Sequence, residues 1–449
     1  MAKDCVTPTL YNESKKLMSD FESERLKKFR KLVKYASANS PYYAKVIKEN
    51  GICIDTAIPE NFPVLTKSMA MEHFDDIVTD RRITKKAIEE FVISSSDPRE
   101  LFLNKYTALV TSGSSGEEGY FVSHLRDTIR GLSSISPAKI STKFSLLLNY
   151  ILWSFRKRKK PAVAFYGNIS GHYAGYDSAI KWPKLLFTAK GFEINEAVSK
   201  TVDSMNEFQP NILCGYTTML KILAEEKLNN NLNISPQVII ATAETVTKED
   251  LVYLNKVFPS SHVMSLYASS EHGNMGRSNR DKETMTLFDS KLIFEFFEDH
   301  TLVTNLCNYT MPLIRYKMSD VLIPISEKNT YPTIAKNLIS RTETKVYFRN
   351  SLGETESFTS FITRRFYVKG VSKFQMQVTS DTSFLFPICL ESHLIEEEKT
   401  ETIELVKTKL VKLLHKKKID NVSFDVFVVK EIPVNEKTRK FQLIVDKTK

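Results

Sequence analysis

Between residues 162 and 273 the chain alternates short apolar runs with loops and helix-like stretches, and this alternation admits few folds. Residues 162–166 make a short apolar strand that runs into a glycine-bearing loop. Ile212-Leu213-Cys214 precedes a turn and a helix expected over 218–228. Val238-Ile239-Ile240 leads into Ala241-Thr242-Ala243-Glu244 and a helix over 248–258. Val263-Met264-Ser265-Leu266 leads into a loop over 267–273. Strands and helices in this order predict an α/β core of sheets flanked by helices, with ligand loops at the carboxyl ends of the strands.

The two ends of the chain read differently. Residues 14–38 carry Leu17, Phe21, Leu26, Phe29, Leu32 and Val33 at helical spacing,. Ser40-Pro41 then opens a second short helix, with serine as cap and proline in the first turn, and Gly51 stops it. In the tail, residues 374–378 and 383–390 look like strands. Residues 394–418 look like one charged amphipathic helix with Ile403, Val406, Leu410 and Leu413 as its buried stripe, and a strand over 422–429 follows,. The chain thus divides into a large N-terminal domain, residues 1–341, and a small C-terminal α+β domain, residues 342–449. A length of 449 residues is compatible with two or three domains,.

Composition excludes several classes. Hydrophobic residues make up 42% and charged residues 26%, so the chain is neither disordered nor low-complexity,. Its five cysteines are scattered, with no C-x-x-C pair to suggest zinc or a disulfide framework,. They fit a reducing, cytoplasmic setting. Lys+Arg exceed Asp+Glu by 63 − 53 = 10, an excess that suits an anionic small ligand or an acidic partner,. No nucleic-acid-binding signature accompanies it. The first residues lack the pattern of a secretory leader, and no apolar run is long enough for a transmembrane segment. Residues 144–155 (FSLLLNYILWSF) followed by basic 156–160 read either as a lipid- or partner-docking surface or as a buried helix with a solvated basic end,.

Glycine is scarce, 14 in 449, yet Gly113, Gly116 and Gly119 crowd into Thr111-Ser112-Gly113-Ser114-Ser115-Gly116-Glu117-Glu118-Gly119. Glycines let backbone N–H groups converge on an anion and hydroxyls add donors, so the loop can cradle a polyphosphate. It is not a Walker loop, because no Gly-Lys-Ser/Thr occurs. A flexible Gly/Ser linker is the other reading.

Here the sequence resembles a known family. TSGSSG looks like the phosphate-binding signature of the adenylate-forming (ANL, AMP-binding) superfamily. Ala243-Glu244-Thr245 is similar to the adenine-site turn of its phenylacetate–CoA ligase-like branch. Tyr267-Ala268-Ser269-Ser270-Glu271 resembles YGxTE, and Pro312-Leu313-Ile314-Arg315-Tyr316 with Asp320 resembles PLIRYxxxD. Ser340-Arg341-Thr342-Glu343-Thr344 resembles the GRxDD hinge, and Lys440-Phe441 the final GKxR. Ser40-Pro41-Tyr42-Tyr43 and Phe62-Pro63-Val64-Leu65-Thr66-Lys67 also match that branch, so the likeness spans nearly the whole chain in order.

The resemblance implies an acyl-CoA synthetase-like, acid–thiol ligase. A small-molecule carboxylic acid attacks the α-phosphate of ATP, giving an acyl- or aryl-adenylate and pyrophosphate. The acyl group then passes to the thiol of coenzyme A or of a carrier protein's phosphopantetheine. In this scheme Glu271 holds Mg²⁺, and the Ser270 hydroxyl bonds the α-phosphate. Thr111, Ser112, Gly113, Ser114, Ser115 and Gly116 grip the outer phosphates. Asp320 accepts the ribose hydroxyls, Arg341 touches the ribose or phosphate side, and Tyr267, Ala268 and Ser269 with Ala243, Glu244 and Thr245 surround the adenine. Lys440 bridges carboxylate and α-phosphate, with Lys437 as the alternative register, and Glu343 is the hinge joining the domains. The second glycine cluster, 167–175, carries His172, which orients the carboxylate, closes the acyl pocket or is simply structural, and Gly215 and Tyr216 line the same pocket. Ordinary structural roles are the counter-readings: a surface glutamate for Glu271, a cap for Asp320, a core tyrosine for Tyr267.

Three departures bear on activity. Glu117-Glu118 stand where relatives carry a basic residue, Ala268 replaces the glycine of YGxTE, and Arg439 replaces that of GKxR. Carboxylates beside a triphosphate are repelled by it. The alternative function is therefore a degenerate nucleotide-binding relative without ligase activity, membrane-associated through residues 144–160.

Overall fold

The computed structural model describes residues 8–95, 100–111, 119–127, 130, 160–167, 169, 172, 187–194, 196–244, 246–318, 320–327, 330–336, 346–357, 368, 370–390, 394–416, 418–432 and 444–448. The first helix, α1 (Pro8–Asn39), begins before the expected residue 14 and buries Phe29, Leu32, Val33 and Ala36 on one stripe. Helix α2 (Pro41–Glu49) is capped as its sequence demands: the Ser40 hydroxyl accepts the Tyr43 N–H, Pro41 sits in the first turn, and Gly51 turns the chain at φ 58°,.

The centre is an eight-stranded sheet in the order β13-β9-β8-β7-β6-β5-β3-β4. Strands β3 (Ala162–Gly167), β4 (Thr188–Glu193), β5 (Ile212–Tyr216), β6 (Val238–Thr242) and β7 (His262–Ser269) run parallel. Helices at Val198–Phe208, Thr217–Leu228 and Lys248–Val257 cover one face, burying Met205, Leu220, Leu223, Leu251 and Leu254 against Ala164, Leu213, Ile239 and Val263. The other three strands are antiparallel: β8 (Gly273–Ser278), β9 (Thr284–Leu287) and β13 (Ile334–Lys336). This extension was not foreseen, because GNMGRS has no apolar alternation. The expected loop over 267–273 is shorter than anticipated, since Tyr267, Ala268 and Ser269 still belong to β7.

Two smaller units lean on this sheet. Strands β1 (Tyr106–Thr111) and β2 (Gly119–His124) form an antiparallel pair on either side of the glycine-rich segment in the sequence. A three-stranded sheet joins β10 (Leu292–Phe296), β11 (Thr301–Asn305) and β12 (Tyr316–Met318). The SPYY and PLIRY segments lock together: the Tyr43 hydroxyl donates to Pro312 O at 2.9 Å and accepts from Ile314 N at 3.1 Å. Arg315 holds Glu295 at 2.9 Å and the Phe62 carbonyl at 2.8 Å.

The C-terminal residues carry their own core around Val346, Phe348, Phe384, Phe386 and Ile444. Helix Glu396–Lys416 contributes Val406, Leu410 and Leu413 as buried residues with Ile403 half-buried, the stripe expected from the sequence. The expected strand over 374–378 is two, β16 (Val371–Phe374) and β17 (Met376–Ser380), because the chain breaks at Gln375, whose N–H donates to Pro387 O. Both halves pair with β18 (Ser383–Leu390), and β19 (Ser423–Val428) and β20 (Ile444–Asp446) complete the sheet. Among the described residues no helix is long and apolar enough to cross a membrane.

Candidate functional site

The carboxyl ends of β6 and β7 bring three of the expected segments together. After β6 the chain turns sharply at Ala243, whose φ is 65°, a left-handed conformation costly for a residue with a Cβ,. The next residue anchors the turn: the Glu244 carboxylate accepts the Thr218 N–H at 2.9 Å and its hydroxyl at 2.8 Å. Thr218 lies in the first turn of Thr217–Leu228, so the carboxylate occupies a helix N-terminus, where anions are favoured,. Burial raises the Glu244 pKa, and the Thr218 donors and Lys373 oppose the rise.

After β7 the chain reverses through Ser270 and Glu271 into β8. The register shifts between Tyr267 and Ala268, and Ala268 is not among the residues with positive φ. Alanine is therefore tolerated where the family motif has glycine. The buried Ser269 hydroxyl accepts the His272 N–H at 3.1 Å and closes the turn. Glu271 is half-buried and lies close enough to Tyr316 for its charge to act on the phenol. Burial, then the adjacent Glu271 charge, raises the Tyr316 pKa well above its ordinary value.

Asp320 follows β12 and is buried; the Tyr267 hydroxyl donates to its Oδ2 at 2.8 Å. A carboxylate held by a tyrosine beside the ends of β6 and β7 suits a ribose diol, which needs two-oxygen acceptors. Its backbone forms a β-bridge and lies in no helix.

At the foot of the glycine-rich loop the Thr111 hydroxyl accepts the Gly119 N–H at 2.9 Å. A Cβ built on Gly119 would lie 2.7 Å from Lys67 Cε, so the Lys67 side chain crosses the base of this hairpin. Sequence reasoning placed Lys67 in a matching segment without giving it a role. The signal that fixes its position is the backbone bridge of Leu65 to Tyr316, with Lys317 N donating to Leu65 O at 2.9 Å.

The residues expected at the acyl pocket fall into two groups. A Cβ on Gly167 would lie 2.7 Å from the Phe165 ring and 2.9 Å from that of Tyr216, and one on Gly215 would lie 2.6 Å from Tyr166 O. Gly215 and Tyr216 therefore pack with β3. His172 is buried, but its carbonyl accepts the Val110 N–H at 2.8 Å and its ring lies 5.1 Å from that of Phe91, which ties it to β1. Ser112, Gly113, Ser114, Ser115, Gly116, Glu117, Glu118, Thr245, Arg341, Glu343, Lys437, Lys440 and the apolar segment 144–155 lie outside the described residues.

Among the described residues no group of three or more His, Cys, Asp or Glu side chains could hold a metal. A divalent cation at Glu271 would therefore depend on one carboxylate together with phosphate oxygens and water. That is the donor set Mg²⁺ accepts, because it keeps much of its hydration, so the residues present fit it.

No protein-family model matches the chain. It is 25% identical over 334 residues to protein CapK of Staphylococcus aureus, covering 71% of this chain and 67% of that protein. Its structure is similar to 2-hydroxyisobutyryl-CoA ligase in the postadenylation state in complex with 2-HIB-AMP, with TM-score 0.59 at 14% identity over 94% of this chain and 89% of that one. The same ligase with 2-HIB-AMP and CoA in the thioesterification state gives TM-score 0.52 over 95% and 90% of the two chains, again at 14% identity. This chain shares its fold with 2-hydroxyisobutyryl-CoA ligase.

Proposed function

We propose that the protein activates a carboxylic acid with ATP and passes the acyl group to a thiol. The observation that carries this reading is the convergence of Tyr267, Asp320, Glu271 and the Ala243-Glu244 turn at the sheet's carboxyl edge.

Asp320 holds the ribose, its carboxylate fixed by the Tyr267 hydroxyl, and the Ala243-Glu244 turn and the Tyr267 ring border the adenine. Glu271 holds Mg²⁺, which when bound neutralises the phosphate oxygens and favours departure of pyrophosphate. The Ser270 hydroxyl donates to an α-phosphate oxygen, and Thr111, Ser112, Ser114 and Ser115, with Lys67 at the hairpin base, bind the outer phosphates. Lys440, or Lys437 in the other register, offsets the charge between carboxylate and α-phosphate. A carboxylate oxygen bonds to the α-phosphorus as the bond to pyrophosphate breaks, giving the acyl-adenylate. A thiolate then attacks the acyl carbon and AMP leaves, with Glu343 as the hinge that exchanges one step for the other. Coenzyme A and a carrier-bound phosphopantetheine are the acceptors to test.

The test is carboxylate-dependent ATP–pyrophosphate exchange with Mg²⁺ across aryl acids, short and long fatty acids and amino acids. Exchange with one class, lost by 10²-fold or more in Lys440→Ala, is the expected outcome. Silence across the panel with ATP still bound would overturn ligase activity in favour of a nucleotide-binding relative. Exchange that survives the substitution would move the assignment to Lys437.

A further inference from the structure

Lys291 stands immediately before β10 and is 9% exposed. Its backbone is fixed on both sides: its N–H donates to Phe288 O and its carbonyl accepts the Leu306 N–H, each at 3.0 Å. Burial lowers its pKa to about 8, with Cys307 opposing, so the side chain stays charged at neutral pH. Among the described residues no hydrogen bond or ion pair reaches its ammonium group. The acid nearest in sequence, Asp289, is turned to Thr333, accepting its N–H at 2.6 Å and its hydroxyl at 3.1 Å. A buried ammonium without a counter-charge is costly, and such a group in a folded protein calls for a partner.

The ammonium group borders a space at the site. Among the described residues, and beyond its own chain neighbours, a Cβ built on Gly273 would meet only Lys291 Nζ within 4 Å, at 3.9 Å. Gly273 is exposed, so this space opens to solvent, and its φ of 65° disfavours any side chain that would fill it,. Gly273 pairs with Ser269 at the end of β7 and lies two residues past Glu271. Between them, His272 is 3% exposed, and neither of its ring nitrogens has a hydrogen-bond partner among the described residues. Burial, then the Lys291 charge, lowers its pKa to about 3, and the neutral ring keeps one N–H to donate,. In the sheet β7 lies between β6 and β8, so a ligand that reaches Gly273 extends past Glu271 and away from the Ala243-Glu244 turn.

We propose that Lys291, in the space beside Gly273, binds a second carboxylate on the acid substrate, with the His272 N–H as a further donor. The substrate is then a dicarboxylic acid. The proposal rests on the ligase reading given above, which supplies an acid that reacts beside Glu271. ATP is the other source of an anion, but in that reading its outer phosphates go to Thr111, Ser112, Ser114, Ser115 and Lys67. A site that buries a cation rejects the isostere lacking the anion, because the cation is then left unpaired.

The experiment compares succinate, glutarate, adipate and terephthalate with propionate, butyrate, valerate and benzoate, partners that differ by one carboxylate. Acid binding by calorimetry without nucleotide, ATP–pyrophosphate exchange, ATP binding and the thermal midpoint are measured for the wild type, Lys291→Met and Lys291→Arg. At least one dicarboxylate is expected to bind about 10²-fold more tightly than its monocarboxylic partner. That preference should vanish in Lys291→Met and persist in Lys291→Arg, with ATP binding close to wild type. The ligand-free Lys291→Met protein should melt at or above the wild-type midpoint, since an uncompensated buried charge is gone. No preference for dicarboxylates in the wild type, or a preference that Lys291→Met retains, overturns the proposal. If Lys291→Met weakens ATP binding and leaves acid selectivity unchanged, the anion is a nucleotide phosphate and the assignment to the acid fails. If dicarboxylates bind through Lys291 but no acid supports exchange, the binding site stands and the ligase reading fails.

Discussion

Asp320 and Tyr267 are the most exacting pair at the level of single residues. On the proposed reading, a buried carboxylate that accepts the phenolic hydrogen bond and binds the ribose diol should make most of the nucleotide's polar contacts on that side. Asp320→Ala is expected to lower kcat/KM for ATP about 10²-fold, and Tyr267→Phe by about tenfold or less, since a hydrogen bond to a charged group contributes roughly 1.5–3 kcal/mol. Equal effects would mean that the tyrosine contacts the nucleotide itself. Asp289 gives a separate prediction, remote from the site. Burial pushes its pKa up to about 6, against the opposing pull of the Thr333 N–H and of Arg25. A carboxyl whose folded value is raised binds its proton more tightly when folded. Its stabilising contribution is therefore complete below the ordinary pKa of about 3.9 and is lost as pH rises through about 6. Asp289→Asn, which preserves an acceptor for Thr333, should flatten the fall in urea stability between pH 4 and 7 by about 1–3 kcal/mol. An unchanged slope would assign the fall to other groups.

Elements decide how closely the parts of the site can approach. Gly215 lies where β5 passes β3, and an added Cβ would come within 2.6 Å of the Tyr166 carbonyl, a backbone atom that cannot swing aside. Gly215→Ala should destabilise the sheet by about 1–3 kcal/mol in denaturant titration. A neutral result would require the strands to separate without loss. Much of this level was readable from the chain. Four of the five parallel strands, the helices Thr217–Leu228 and Lys248–Val257, the capped α2 and the stripe on Glu396–Lys416 follow from periodicity and capping, whereas β4 and the helix Val198–Phe208 were not anticipated. The antiparallel half of the sheet was not, because Gly273–Ser278 and Ile334–Lys336 lack the alternation that marks a strand and owe their conformation to neighbours. The same reason hid the position of Lys67, which follows from the bridge of Leu65 to Tyr316 of β12, a long-range pairing that no local pattern announces. Motif order could suggest which residues belong to a site, but not which of them steady the others.

Over the whole molecule, buried Asp250 is one place, among the described residues, where the C-terminal unit meets a helix of the large sheet. Asp250 caps the helix Lys248–Val257 through the Thr247 N–H and hydroxyl, while its other oxygen faces Lys221 at 3.4 Å and Lys373 at 3.6 Å. Lys373 belongs to β16 of the C-terminal sheet, and its charge also acts on Glu244, the anchor of the turn after β6. One lysine thus links the docking of the C-terminal unit to the turn we propose for the adenine. Removing it leaves Asp250 its cap and Lys221, so the N-terminal core should keep its melting behaviour, whereas losing Asp250 would expose both lysines to an unbalanced interface. Lys373→Met, which retains most of the side chain's volume, is expected to speed amide hydrogen exchange in Val371–Phe374 about tenfold and to enlarge the molecule slightly by small-angle X-ray scattering. Lys373 is partly exposed, so about 1 kcal/mol is the scale to expect,. If exchange in β16 is unchanged while Glu244→Gln accelerates it, docking is governed from the nucleotide side rather than by the Asp250 pair. If neither substitution alters it, the apolar contacts between the two units hold them without help from charge.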